Sequence, residues 1–324
     1  MKLLALLSGG LDSTLALKVA QNLRFDVEAV HFSTPFCRCD KCAVNACAEQ
    51  FGIKVNHVFL GQEFLDLIVD PPHGRGSQMN ICIDCRILML KRSRELAKEI
   101  GAQHLVTGEV LDERPFSQRL HSMKLIEKEA GVEGMVLRPL SGRLLPDTEL
   151  EKMGLVRKED LYSIQGRRRL PQFQLAEEFG VKDYPCPSGG CLLTDPAFAN
   201  RLREHLAHDE RLTFMDAALL MLGRHFRVES AKVVVGRDEE ENNALLSIAE
   251  REGIPTMSVA DYMGPTTLIV GDADNDTMRK AAAITVRYSD APRGKPVEVK
   301  CSDAKFDVPL IGAIDDDELD KLRV

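Results

Sequence analysis

The hexapeptide Ser8-Gly9-Gly10-Leu11-Asp12-Ser13 interrupts an apolar run, Leu3 to Leu7, and opens a helical one carrying Leu15, Leu17, Val19 and Ala20. A strand, a glycine turn and a helix start therefore follow one another at the head of the chain. Paired glycines let the backbone approach a bound anion closely. Ser8, Ser13 and the unpaired N–H groups of a helix N-terminus can donate to phosphate oxygens. The stretch reads as a nucleotide-phosphate cradle. It has neither the lysine of a G-x-x-x-x-G-K-[ST] loop nor the G-x-G-x-x-G spacing of a dinucleotide fold.

Length and composition set the frame. A chain of 324 residues suffices for two domains with separate cores. The apolar run before the glycines is too short for a membrane span and lacks the flanks of a signal peptide, so a cytoplasmic protein without a membrane partner is expected. Nine cysteines are many for a reducing compartment, and an odd number cannot all pair within one chain, which favours metal or sulfur chemistry. A net charge of −8 argues against an overall electrostatic grip on nucleic acid and leaves room for a local basic face.

From residue 1 to about 110, apolar β-rich runs (Leu3–Leu7, Val27–Phe32, Lys54–Leu60, His104–Thr107) alternate with helical stretches, the clearest being Arg86–Ile100. This predicts an α/β fold with a parallel sheet covered on both faces. Ligands of such sheets sit at the carboxyl ends of the strands, which collects Ser8–Ser13, His31–Phe36 and Thr107–Glu109, with His31 and Gly108 as further nucleotide contacts. Between 111 and 170, proline, arginine and glycine rise and periodicity weakens; irregular structure lining the site is expected. From about 210 a second, smaller α/β domain begins, and the acidic run Asp315–Asp317 reads as a solvated tail. The resulting partition is 1–170, a connector 171–210, and 211–324.

Two cysteine groups carry chemistry. Cys82-Ile83-Asp84-Cys85 places two thiols three residues apart where a helix begins, on one face and beside an N-terminus that favours thiolates. Tyr184-Pro185-Cys186-Pro187-Ser188-Gly189-Gly190-Cys191 offers a distant third, and three cysteines can hold a [4Fe–4S] cluster with one iron open; a thiol pair without any ligand is the plainer alternative. Cys37, Cys39, Cys42 and Cys47 supply the donors of a Zn²⁺ site in an unusual spacing, and persulfide carriage or inert thiols are the alternatives. Cys301 stands alone.

Ser-Gly-Gly-x-Asp-Ser at the end of a first strand resembles the PP-loop of the ATP pyrophosphatase family, whose adenine nucleotide alpha hydrolase-like, Rossmann-like fold the chain is expected to share. With Cys82-x-x-Cys85, Arg114-Pro115-x-Ser117-Gln118, Arg138-Pro139-Leu140 and the Gly-Gly-Cys191 segment, residues 1 to about 200 resemble the ThiI-like, tRNA-thiolating branch. Gly223-Arg224-His225-Phe226-Arg227 and Val235-Gly236-Arg237 are similar to the RNA-binding domain of NFACT-type proteins. No THUMP segment is read ahead of the first strand, so the C-terminal domain is expected to carry more of the RNA binding.

What the resemblance implies is ATP-dependent thiolation of a tRNA uridine. The base carbonyl attacks the α phosphate, and pyrophosphate leaves into a loop of Ser8, Gly9, Gly10, Asp12 and Ser13, with Mg²⁺ on Asp12. Sulfur from sulfide or a cysteine desulfurase then arrives through a cluster or persulfide on Cys82, Cys85 and Cys191, with Cys191 favoured over Cys186 because its Gly-Gly turn allows close approach. Arg167, Arg168, Arg169, Arg224, Arg227 and Lys232 are candidates for tRNA phosphates, or plain surface charge. Thiolation or amidation of a small metabolite, and a non-catalytic ATP-gated RNA-binding or iron–sulfur sensing protein, stay open as alternatives.

Overall fold

A computed structural model describes residues 1–36, 41–181, 184, 191–306 and 310–324. Their contacts divide the chain into two compact units, Met1–Pro196 and Ala197–Val324.

In the first unit the strands are β1 (Lys2–Leu6), β2 (Asp26–Ser33), β3 (Val55–Phe59), β4 (His104–Val106) and β5 (Val136–Leu137). The helices are α1 (Leu11–Asn22), α2 (Lys41–Phe51), α3 (Gln62–Val69), α4 (Cys82–Ile100), α5 (Leu120–Ala130), α6 (Glu149–Lys152) and α7 (Leu170–Glu178). All pairings are parallel, in the order β3-β2-β1-β4-β5. Leu3, Ala5, Leu15, Leu17, Ala29 and Val106 form the core between sheet and helices. The strand order reverses between β1 and β4, and such a switch point leaves a crevice beyond the carboxyl ends. The stretch 111–170 holds more regular structure than its composition suggests. In α5, Met123, Ile126 and Ala130 are buried at helical spacing, and β5 is only two residues long, too short to show a period.

The second unit follows α8 (Pro196–His208), which begins at the boundary, with α9 (Phe214–Met221), β6 (Arg224–Val228), β7 (Ala231–Val235), α10 (Glu239–Glu252), β8 (Thr256–Val259), β9 (Thr267–Val270), α11 (Asn275–Arg287), β10 (Val299–Cys301) and α12 (Asp316–Leu322). Its sheet is antiparallel, in the order β10-β8-β9-β7-β6. Side chains of α11 and α12 pack on one cluster of sheet residues, and those of α9 and α10 on another. The run Asp315–Asp317 is exposed to solvent, as expected, but it starts a helix rather than forming a loose tail. Asp315 caps α12, accepting from the Glu318 N–H at 2.9 Å, and Leu319 is buried; acidic residues here suit the positive end of the helix dipole. No helix among the described residues is long and apolar enough to cross a membrane.

Candidate active site at the sheet switch point

The glycine loop joins β1 to α1. Gly9 adopts φ +79°, and a Cβ there would lie 3.1 Å from Val44 Cγ2, so both the backbone and α2 demand glycine. The serines brace the turn: Ser8 N donates to Ser13 Oγ at 3.2 Å, the two hydroxyls lie 3.1 Å apart, and Ser13 Oγ donates to Gly10 O at 2.8 Å. No side chain caps α1, leaving its first-turn N–H groups for an anion. Gly108, just beyond β4, closes the other wall. A Cβ at Gly108 would stand 2.4 Å from both the carbonyl carbon of Asp12 and the nitrogen of Ser13, so the strand end bears directly on the first turn of α1.

Asp12 is mostly buried; among the described residues its Oδ1 has no hydrogen-bond partner, while Oδ2 accepts from Arg169 Nη2. Arg169 Nε also lies 3.5 Å from Glu113 Oε1. Two carboxylates thus flank one guanidinium. Burial and the Asp12 charge push the Glu113 carboxyl up, against the pull of Arg169. Glu113 escaped the sequence reading; the acid pair Asp112-Glu113 after β4 was its signal. A buried oxygen without a partner beside a second carboxylate suits a hard divalent cation, so Asp12 and Glu113 fit Mg²⁺. Of the arginine triplet, Arg167 and Arg168 are exposed, whereas Arg169 turns inward onto Asp12 and is not an RNA-facing side chain. His31 is buried; its Nδ1–H donates to Leu7 O at 3.0 Å and its ring meets the edge of His57.

The thiols come to the same unit from two directions. Cys82 opens α4, where Asn80 Nδ2 donates to its sulfur at 3.2 Å. The segment after Gly190 is sewn down by main-chain bonds, Leu192 N to Phe36 O at 3.3 Å and Met79 N to Leu193 O at 3.1 Å. These carry Cys191 between the end of the β2 loop and the approach to α4. Cys82 and Cys191 both act electrostatically on Cys85. Burial, reinforced by Cys191 and Cys82 and opposed by Arg86, pushes the Cys85 thiol up to about 12. The helix N-terminus therefore does not make Cys85 a ready thiolate; desolvation outweighs it. Thiols close enough for Cys82 and Cys191 to act on Cys85 have the donor chemistry for a thiophilic cation. Among the described residues, however, no three His, Cys, Asp or Glu side chains are arranged to hold a metal ion.

Cys37, Cys39 and Cys186 lie outside the described residues, as does the side chain of Cys42. Cys47 is a core residue, its Sγ 3.6 Å from Thr14 Oγ1, and burial pushes its thiol up. In the second unit, Lys232 is not available to phosphate. Its Nζ is buried 2.8 Å from His205 Nδ1, and burial pulls its pKa down. Arg227 is held by Glu204 and by Ser230 O at 2.9 Å. Arg224 keeps a half-open position, its guanidinium 4.7 Å over the Tyr288 ring.

An ion network backs the site. Glu109, next to Gly108 and 3% exposed, receives Arg138 Nε at 2.9 Å and Thr107 Oγ1 at 3.2 Å, with Arg86 Nε at 3.3 Å from its other oxygen. Arg138 also pairs with Glu127 of α5. Burial opposes ionisation of Glu109, but Arg138 and Arg86 prevail and hold its carboxyl below the ordinary value.

Comparison with known proteins agrees with both halves of this description. Residues 1–146 match the family model of the thiamine biosynthesis protein ThiI, and residues 223–321 match that of the NFACT protein RNA binding domain. A probable tRNA sulfurtransferase of Thermococcus kodakarensis is 26% identical over 144 residues, 44% of this chain and 37% of the relative. The chain thus spans little more than a third of that curated relative's length. Among solved structures, a 4-thiouridine synthetase–RNA complex with bound ATP matches at TM-score 0.37 and 25% identity, covering 64% of this chain and 50% of that one. The U34-tRNA thiolase NcsA of Methanococcus maripaludis with its [4Fe-4S] cluster matches at 0.30 and 18%, covering 60% and 61%. Residues 1–146 are thus similar to the ThiI protein and residues 223–321 to the NFACT RNA-binding domain.

Proposed function

We propose that this protein is a cytoplasmic ATP-dependent tRNA sulfurtransferase that adenylates a uridine carbonyl and replaces its oxygen with sulfur. The observation that carries the reading is that the anchored Cys191, the Cys82–Cys85 turn and the glycine loop with Asp12 all belong to one compact unit whose sheet has its switch point at the loop. The likeness of residues 1–146 to ThiI and the 26% identical relative described as a probable tRNA sulfurtransferase support this reading.

The carbonyl oxygen attacks the α phosphate, a P–O bond forms, and the bond to pyrophosphate breaks. First-turn N–H groups of α1 and the Ser8 and Ser13 hydroxyls take the pyrophosphate charge. Mg²⁺ on Asp12 and Glu113, when bound, adds positive charge at the phosphates. Arg169 leaves Asp12 for the phosphates, and its guanidinium then offsets their charge. A C–S bond next forms as the C–O bond to AMP breaks, the oxygen departing on AMP. Cys82, Cys85 and Cys191 would hold a [4Fe–4S] cluster, which would supply a binding place for sulfide. In the route without a cluster, a persulfide delivered to one of them by a cysteine desulfurase attacks the base carbon. A second of these thiols then breaks the S–S bond, leaving the sulfur on the base and a disulfide on the protein. The C-terminal unit, with Arg224 beside Tyr288, contributes tRNA phosphate contacts.

The test is a paired assay of pyrophosphate and thiolated nucleoside on the anaerobically purified chain with ATP, tRNA and sulfide. Wild type is expected to yield both. Cys191→Ala should keep pyrophosphate and lose the thionucleoside. Absence of tRNA-dependent pyrophosphate from wild type overturns the reading.

A further inference from the structure

Two successive residues, Gly108 and Glu109, touch different elements of the site. Gly108 bears on the first turn of α1, as shown by the 2.4 Å clearance to Asp12 and Ser13. Glu109 pairs with Arg86 at 3.3 Å, one residue past Cys85. The remaining ties of the α4 first turn run to its own leading loop: Asn80 to Cys82 at 3.2 Å, and His73 to Asp84 through Nδ1 at 2.7 Å and its N–H at 3.2 Å. Ile83 and Ile87 are buried, and α4 packs on β1, β4 and α5, which sets the helix on the sheet; Arg86 adds the ion pair that ties the end of the cysteine-bearing turn to the residue after Gly108.

We propose that Glu109 is a positioning residue that, through Arg86, holds the cysteine-bearing turn of α4 in register with the phosphate loop seated on Gly108; the proposal rests on the functional reading above. Ionic groups of this burial seldom add net stability over apolar side chains of equal volume, so geometry is what the network offers. Arg138 and Thr107 fix the Glu109 carboxylate from the sheet side, so its free direction is toward Arg86. Adenylation needs only the loop, whereas sulfur transfer needs loop and thiols together. A shift of about 1 Å between them costs about a hundredfold in the second step alone.

Glu109 itself is too deeply paired to replace without risk to folding, so the test uses Arg86→Gln and Arg86→Lys in the full chain. Arg86→Gln is expected to release pyrophosphate at a rate close to wild type while thiolated nucleoside per pyrophosphate falls roughly tenfold or more; Arg86→Lys should restore part of that ratio. An unchanged ratio, or equal falls in both products, overturns the proposal. Hydrogen–deuterium exchange gives a readout that needs no activity. In Arg86→Gln, amides of residues 82–88 should exchange about tenfold faster while those of 90–100 stay as in wild type. Equal protection in the first stretch overturns the proposal even where wild type makes no pyrophosphate, an outcome that counts against the functional reading alone.

Discussion

Each unit buries a cluster of charged groups, and the two clusters differ in what they hold together. In the first, Glu109 lies between Arg86 and Arg138 beside the phosphate loop, and the arginines hold its carboxyl in the ionised form. In the second, Lys232 and His205 face each other inside the fold, and desolvation pulls both toward neutrality. Glu204, Asp209, Asp216 and Arg227 surround that pair. Arginine and lysine thus fail in different ways as markers of an RNA surface: Arg138 and Arg86 organise a carboxylate, while Lys232 is turned inward, where burial pulls its pKa down.

The largest effect expected is at the loop. Asp12→Ala should lower tRNA-dependent pyrophosphate release by about 10²–10³-fold, read in the paired assay, with the thermal midpoint close to wild type. A fall of less than about tenfold would remove Asp12 from the chemistry.

Next comes a pair of truncations that opposes the clusters directly. Arg138→Met leaves Glu109 and Glu127 short of a partner and should cost about 3–5 kcal/mol in denaturant unfolding. Lys232→Met removes a group already disposed to lose its charge and should cost less than about 2 kcal/mol. A larger loss for Lys232→Met would erase the distinction.

Acid should also part the units. His225 is buried against Leu219 and Leu222 carbonyls, and burial, with smaller contributions from Arg201 and Lys232, pushes its pKa from 6.5 down to about 4. The unfolded chain takes this proton first. Stability is therefore intact above pH 6.5 and falls as pH drops toward 4, by about 3 kcal/mol for this group. His205, also lowered, acts in the same direction. Glu109, whose carboxyl is held below 4.5, withdraws its contribution only beneath that value. Exchange-detected unfolding on acidification is expected in residues 197–324 before the sheet of the first unit; the reverse order would refute it.

The smallest effect is expected from Arg224→Ala. It should raise the KM for tRNA by a few-fold and flatten the salt dependence of binding by about one unit of slope, leaving the maximal rate unchanged.

How much of this was legible from sequence follows from how far apart the interacting residues lie. The loop could be read because all its parts sit within six positions, and the apolar runs Leu3–Leu7, Val27–Phe32, Lys54–Leu60 and His104–Thr107 each mark a strand of the first sheet. The antiparallel order of the second sheet left no local trace. Arg169 lies far along the chain from Asp12, and no spacing rule joins them. Lys232 looked like a surface cation because its neighbours in sequence do not reveal His205. Cys85 looked like a thiolate for a similar reason: a helix start can be read from sequence, but the depth of burial around it cannot.

Gly108 constrains how the chain can vary. With van der Waals contact already closed against Asp12 and Ser13, even alanine acts as a wedge that has to move either the strand end or the helix, and interiors packed this tightly have no slack to absorb it. In a saturation library selected for activity, position 108 should retain glycine alone, whereas Gly101, with nothing within 4 Å of its Cβ direction, is limited only by its backbone angle and should admit asparagine. Two glycines seven residues apart in the same strand–helix unit would thus record different histories, one written by space and the other by torsion.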